Sequence, residues 1–78
     1  MYSIDTQALK AKIVYRGFNQ GKFANLLGIS QNTLSQYLKT PEKMQYNIIL
    51  KMIELLDLSR EEIEAIFFSE KLAKNESL

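Results

Sequence analysis

The sequence has no cysteine, no histidine and no tryptophan, with one proline and three glycines in 78 residues. Without cysteine there is no disulfide and no thiolate metal site. Without histidine the usual catalytic base and metal ligand are missing too, so Ser30 and Ser35 have no such group to activate them. A non-enzymatic protein with no metal and no cofactor is expected. No apolar run approaches the roughly 20 residues that a membrane-crossing helix needs, and no charged-then-apolar leader opens the chain, so a cytoplasmic location is expected. No stretch alternates as a surface strand would, and there is no internal repeat or low-complexity tract. The glycines do not cradle a phosphate: Gly17, Gly21 and Gly28 lack both a preceding strand and the lysine such a loop requires.

What is present is helical periodicity, from which an all-α fold of five helices in a single domain over residues 1–78 is expected. Residues Met1 to Ile4 read as a short arm. Asp5 or Thr6 can cap a first helix over about 6–15, with Leu9 and Ile13 facing inward. Gly17 breaks the chain before a second helix over about 20–27, and a third covers about 31–38. Pro41 cannot continue a helix and pushes Thr40 out of it, so Lys39 to Lys43 reads as a loop. A fourth helix is expected over about 46–56, with Ile48, Met52 and Leu55 on one side and Ile49, Ile53 and Leu56 adjoining. A fifth spans about 60–68, with Ile63, Ile66 and Phe67 facing inward. It opens with a capping box between Ser59 and Glu62 and a staple between Leu58 and Ile63. The acidic run Glu61, Glu62 and Glu64 is then explained by its place at the positive end of a helix. Residues 73–78 are expected to fray.

The stretch Asn19 to Lys39 is the most informative. Asn19 caps the second helix with Phe18 and Phe23 as its staple, and Ser30 caps the third with Ile29 and Leu34 in the same arrangement. Gly28 ends the second helix in the left-handed conformation. Phe23, Ala24 and Leu27, then Leu34, Tyr37 and Leu38, fall on inward faces. Outward from the third helix lie Gln31, Asn32, Ser35, Gln36 and Lys39. Asn and Gln carry a donor and an acceptor on one planar group, which suits the edge of adenine in the major groove.

Gln20, Ala24, the Gly28–Ile29–Ser30 turn, Gln31, Leu34 and Tyr37 together resemble the helix-turn-helix of the lambda-like phage Cro and repressor proteins and the wider XRE family. The paired Gln20 and Gln31 are the more specific part of the likeness, and the stretch through Glu64–Ala73 is similar to small phage proteins of this type. The resemblance implies a lambda repressor-like domain whose helices 2 and 3 form the motif. It further implies a transcriptional regulator, most plausibly a Cro-like phage or prophage repressor that occludes a promoter on double-stranded DNA, nucleoid-associated in a bacterial host. By the same resemblance Gln31, Asn32, Ser35 and Gln36 are base-contacting. Asn19, Gln20, Ser30, Lys39 and Lys43 are phosphate-contacting. Arginine is absent from this face, so the operator should lean on A·T contacts and shape. No small-molecule ligand is expected.

The net charge is only +1, but it is unevenly spread. Up to Lys51 there are seven cations against two anions, and from Met52 onward three against seven. The basic half holds the motif, as binding to a polyanion would require, although two solvated faces would give the same distribution. A core this small is marginal alone, so a homodimer on a two-fold operator is expected. Phe67, Phe68 and Leu72 are the dimer-interface candidates, although Phe68 and Leu72 are read first as finishing the core. The rival function is a protein-interaction module, antitoxin-like or an anti-repressor subunit, that buries Phe67 and Phe68 in a partner. The polar face of the third helix speaks against it.

Overall fold

A three-residue linker recurs between the helices and sets their boundaries. It consists of a left-handed residue, an apolar residue and a side-chain cap: Gly17–Phe18–Asn19, Gly28–Ile29–Ser30 and Asp57–Leu58–Ser59. The first residues have φ of 87°, 80° and 50° respectively. In each linker the amide of the apolar residue closes back onto the preceding helix. Phe18 N–H donates to the Ile13 carbonyl at 3.0 Å, Ile29 to Ala24 at 3.0 Å and Leu58 to Ile53 at 3.1 Å. This is the hydrogen bond of a Schellman ending, which satisfies a carbonyl the helix leaves orphaned. The polar residue then starts the next helix. Asn19 accepts from Lys22 N–H at 2.7 Å, Ser30 from Thr33 N–H at 3.0 Å and Ser59 from Glu62 N–H at 3.2 Å.

The computed structural model describes residues 3–69. Among these are five helices: α1 (Thr6–Tyr15), α2 (Gln20–Leu27), α3 (Gln31–Lys39), α4 (Tyr46–Leu55) and α5 (Arg60–Phe67). The boundaries read from the sequence agree to within a residue. Asp5 caps α1 by accepting from Ala8 N–H at 3.1 Å. The capping box of α5 is complete, Ser59 N–H also donating to Glu62 at 2.8 Å. α4 alone starts without a side-chain cap. None of the described helices is long and apolar enough to cross a membrane.

The core takes side chains from every helix: Leu9 and Ile13, Phe23, Ala24 and Leu27, Leu34 and Leu38, Ile48 and Met52, Ile66 and Phe67, with Leu56 just past α4. The Phe18 and Phe23 rings of the first staple lie 5.4 Å apart. α2 and α3 make the most extensive helix–helix contact, around the fully buried Ala24. Tyr37 and Leu55, both expected inward, are half-buried at the edge of the core.

Four expectations need correcting. Ser3 and Ile4 are not a loose arm. Ser3 N–H donates to the Ser69 carbonyl at 2.9 Å and Ser69 N–H to the Ser3 carbonyl at 3.0 Å, while Asp5 N–H reaches the Ile66 carbonyl at 2.7 Å. The start of the chain is thereby fastened to the end of α5. The segment after α3 is a short 3-10 turn, Pro41–Lys43, rather than an irregular loop. It is pinned by Met44, whose side chain is buried, and by a Met44 N–H bond to the Pro41 carbonyl at 3.0 Å. Phe67 is 5% exposed and part of the core, so it has no surface to offer a partner; Phe68, the next residue, is 54% exposed. Phe67 is the last residue of α5, whereas Phe68 follows it in non-helical backbone (φ −129°, ψ 46°). Finally, Ser35 is half-buried, more covered than Asn32 and Gln36 beside it. Leu72 and residues 73–78, together with Met1 and Tyr2 of the expected arm, lie outside the described residues.

Candidate nucleic-acid interface

The candidate surface is built on α2, the turn at Gly28 and α3. Leu34 and Leu38, four residues apart, hold one side of α3 in the core. Gln31, Asn32, Gln36 and Lys39 are its exposed residues, and all four are polar. The turn between the helices is fixed by two bonds to the end of α2, from Gly28 N–H to Asn25 and from Ile29 N–H to Ala24. The start of α3 is fixed by Ser30. The far end of α3 is closed by Thr40, whose N–H and hydroxyl both donate to the Gln36 carbonyl, at 2.8 and 2.9 Å. With Thr40 out of helical backbone (φ −129°, ψ 75°) before Pro41, the helix cannot continue, and Lys43 is carried on the turn that follows.

The sequence-derived site residues are brought together unevenly. Asn19 is exposed, but its side-chain oxygen is engaged in the cap. Gln20 is half-buried in the first turn of α2. The Ser30 oxygen accepts from Thr33 N–H, and its hydroxyl donates to Thr33 Oγ1 at 2.9 Å. Its single proton is therefore already engaged inside the protein. Thr33 thus shares the α3 cap. Gln31 stands apart from the rest of its face. It precedes Leu34 by three residues and so leans toward the inward side of α3, over the first turn of α2. Its Oε1 lies 3.2 Å from where a Cβ on Gly21 would stand. Gly21 was not singled out as a site residue in the sequence, because nothing in a glycine's identity reveals what lies above it.

Apart from Lys10, exposed on α1, the cations of the basic half divide into two groups. Lys12 forms an ion pair with Glu62, tying α1 to α5. Arg16 Nε donates to the Leu56 carbonyl at 2.9 Å and Nη2 to the Asp57 carbonyl at 3.3 Å, closing the end of α4. Both also lie over the Tyr15 ring, 4.9 and 5.6 Å from its centre. Lys51 Nζ stands beside Gly28, 4.0 Å from its would-be Cβ, at the negative end of α2. Lys22, Lys39 and Lys43 are exposed on α2, α3 and the turn after it. The positive charge of the basic half is thus partly structural, and these three lysines are the ones carried by the candidate surface itself.

In the acidic half, the Glu62 carboxyl is lowered to about 2, first by the Lys12 ammonium and then by the Ser59 backbone N–H. This places it in a capping box and an ion pair. Among the described residues no group of three or more His, Cys, Asp or Glu side chains gathers as a metal site would require.

No curated protein and no solved structure gives a significant match to the chain. A family model described as a protein of unknown function, DUF739, matches residues 2–70, and the chain belongs to that family.

Proposed function

We propose that this protein is a sequence-specific double-stranded DNA-binding regulator whose α2–turn–α3 unit is a lambda repressor-like helix-turn-helix, with α3 lying in the major groove. The observation that carries this reading is the surface of α3. Two leucines anchor the helix, and every exposed residue is an uncharged amide or a lysine. A protein-binding helix normally offers an apolar anchor, whereas a groove-reading helix offers amides to base edges and cations to phosphates. Gln31, Asn32 and Gln36 read bases, with Ser35 in a lesser part because it is half-buried. Lys39 and Lys43 meet phosphates, together with the N-terminal turns of α2 and α3 at Gln20 and Ser30.

On this reading the protein works as a homodimer on a two-fold site, with half-sites about one helical turn apart. It acts in the cytoplasm by occluding a promoter, as a phage or prophage Cro-like repressor would. It needs neither a catalytic group nor a cofactor. The test is selection of sites from a randomised duplex library, followed by titration of the winner against random DNA at two salt concentrations. An inverted repeat bound far more tightly than random duplex is expected. Lys39→Ala should flatten the salt dependence by about one unit while preserving specificity. If no sequence is enriched and weak binding disappears with salt, the proposal is wrong.

A further inference from the structure

We propose that Gly21 is a positioning residue for base recognition: its missing side chain leaves the seat on which the Gln31 amide rests against the first turn of α2. This rests on the DNA-binding reading above. Gly21 lies inside a helix, where glycine is disfavoured relative to alanine. Its backbone is outside the left-handed region, unlike that of Gly17 and Gly28, so conformation does not demand glycine there. Space does. A Cβ at Gly21 would meet Gln31 Oε1 at 3.2 Å, Asn19 Oδ1 at 3.6 Å and Gln31 Cδ at 3.7 Å. The first of these is closer than ordinary carbon–oxygen contact, and the neighbours are the ends of side chains rather than backbone.

Of the atoms around that position Gln31 Oε1 is the nearest, and it stands over the first turn of α2. Contact with this turn limits where the planar amide can rest in the DNA-free protein. Asn19, capping the same turn, walls the seat on a second side. A methyl group at Gly21 would displace the amide, and a flexible glutamine can give way at little cost to the fold.

The experiment compares the unsubstituted protein, Gly21→Ala, Gln31→Ala and the double variant. In the DNA-free protein, Gly21→Ala should move the Gln31 side-chain amide resonances and leave the melting temperature equal or higher. On the selected operator and its point variants, it should weaken discrimination by about tenfold at the same base pair that Gln31→Ala affects. Random-duplex affinity should hold, and the double variant should be no worse than Gln31→Ala alone. Unmoved amide resonances, a uniform loss over all sequences, or additive losses in the double variant would each overturn the proposal. Absence of any sequence preference in the unsubstituted protein would overturn the DNA reading and the recognition role with it. The amide resonances would then still show separately whether Gly21 seats Gln31.

Discussion

Replacing Arg16 with alanine should damage the fold rather than the candidate interface. By charge alone Arg16 belongs to the basic half, but its guanidinium spans from the end of α1 to the carbonyls of Leu56 and Asp57 at the end of α4. A hydrogen bond from a charged donor contributes about 1.5–3 kcal/mol, and a cation at a helix C-terminus about 0.3–1 kcal/mol more. Arg16 is exposed, and its second bond is long at 3.3 Å, so water can replace part of both. The lower end applies, giving a loss of about 1.5–2 kcal/mol. In urea, with a slope of about 1 kcal/mol/M for a chain this size, the midpoint should fall by roughly 1.5–2 M. The melting temperature should fall by roughly 6–15 °C. Arg16→Lys keeps the charge but not the two-pronged donor, so it should recover only the dipole part, about 0.5 kcal/mol. Both acceptors are carbonyls, so the loss should be the same at pH 3 and pH 7. A loss below about 0.5 kcal/mol, or full rescue by lysine, would refute this account. So would a flatter salt dependence of duplex binding in Arg16→Ala, since that would place the side chain on a phosphate.

Glu62→Gln keeps an oxygen for the Ser59 N–H but loses the Lys12 pair. Because folding lowers the Glu62 carboxyl from 4.5 to about 2, its contribution is fully present above about pH 4.5 and is lost as pH falls toward 2. The stability gap between Glu62→Gln and the unsubstituted protein, from urea titrations, should therefore close across that window; a gap constant with pH would contradict the ion pair. Gly28→Ala should cost about 1–2 kcal/mol through left-handed backbone alone, since nothing lies nearer than 4.0 Å to the new carbon. Gly28→Asn should cost less, and equal costs in thermal melts would point to a steric cause instead. On the proposed homodimer, Phe68→Ser should lower the dimer fraction in sedimentation, whereas Phe67→Ser should unfold the protein. An unchanged dimer fraction in Phe68→Ser would remove that side chain from the interface.

The sequence by itself determined the helices and the turns between them, for the signals there are local. A staple, a cap or a glycine acts on residues within one or two turns of itself, so Phe18–Asn19, Gly28–Ile29–Ser30 and the Ser59–Glu62 box could be read without knowing any neighbour in space. The polar outer face of α3 was legible for the same reason, since helical spacing alone places Asn32, Gln36 and Lys39 together. Asp57 was the local exception, because a left-handed aspartate has no distinctive signature beside a glycine.

Tertiary structure decided what depends on packing between distant segments. It kept Phe67 in the core, where the spacing of α5 had already placed it, and left Phe68 outside. It brought Ser3 to Ser69 and Lys12 to Glu62, partners that no short-range pattern links. It separated charges committed to helix ends, Arg16 and Lys51, from the lysines beside α3, although in the sequence all are simply cations. It also placed Gln31 over Gly21. Neither residue identifies the other, because their meeting depends on the angle between two helices, and that angle is fixed by the side chains buried between them.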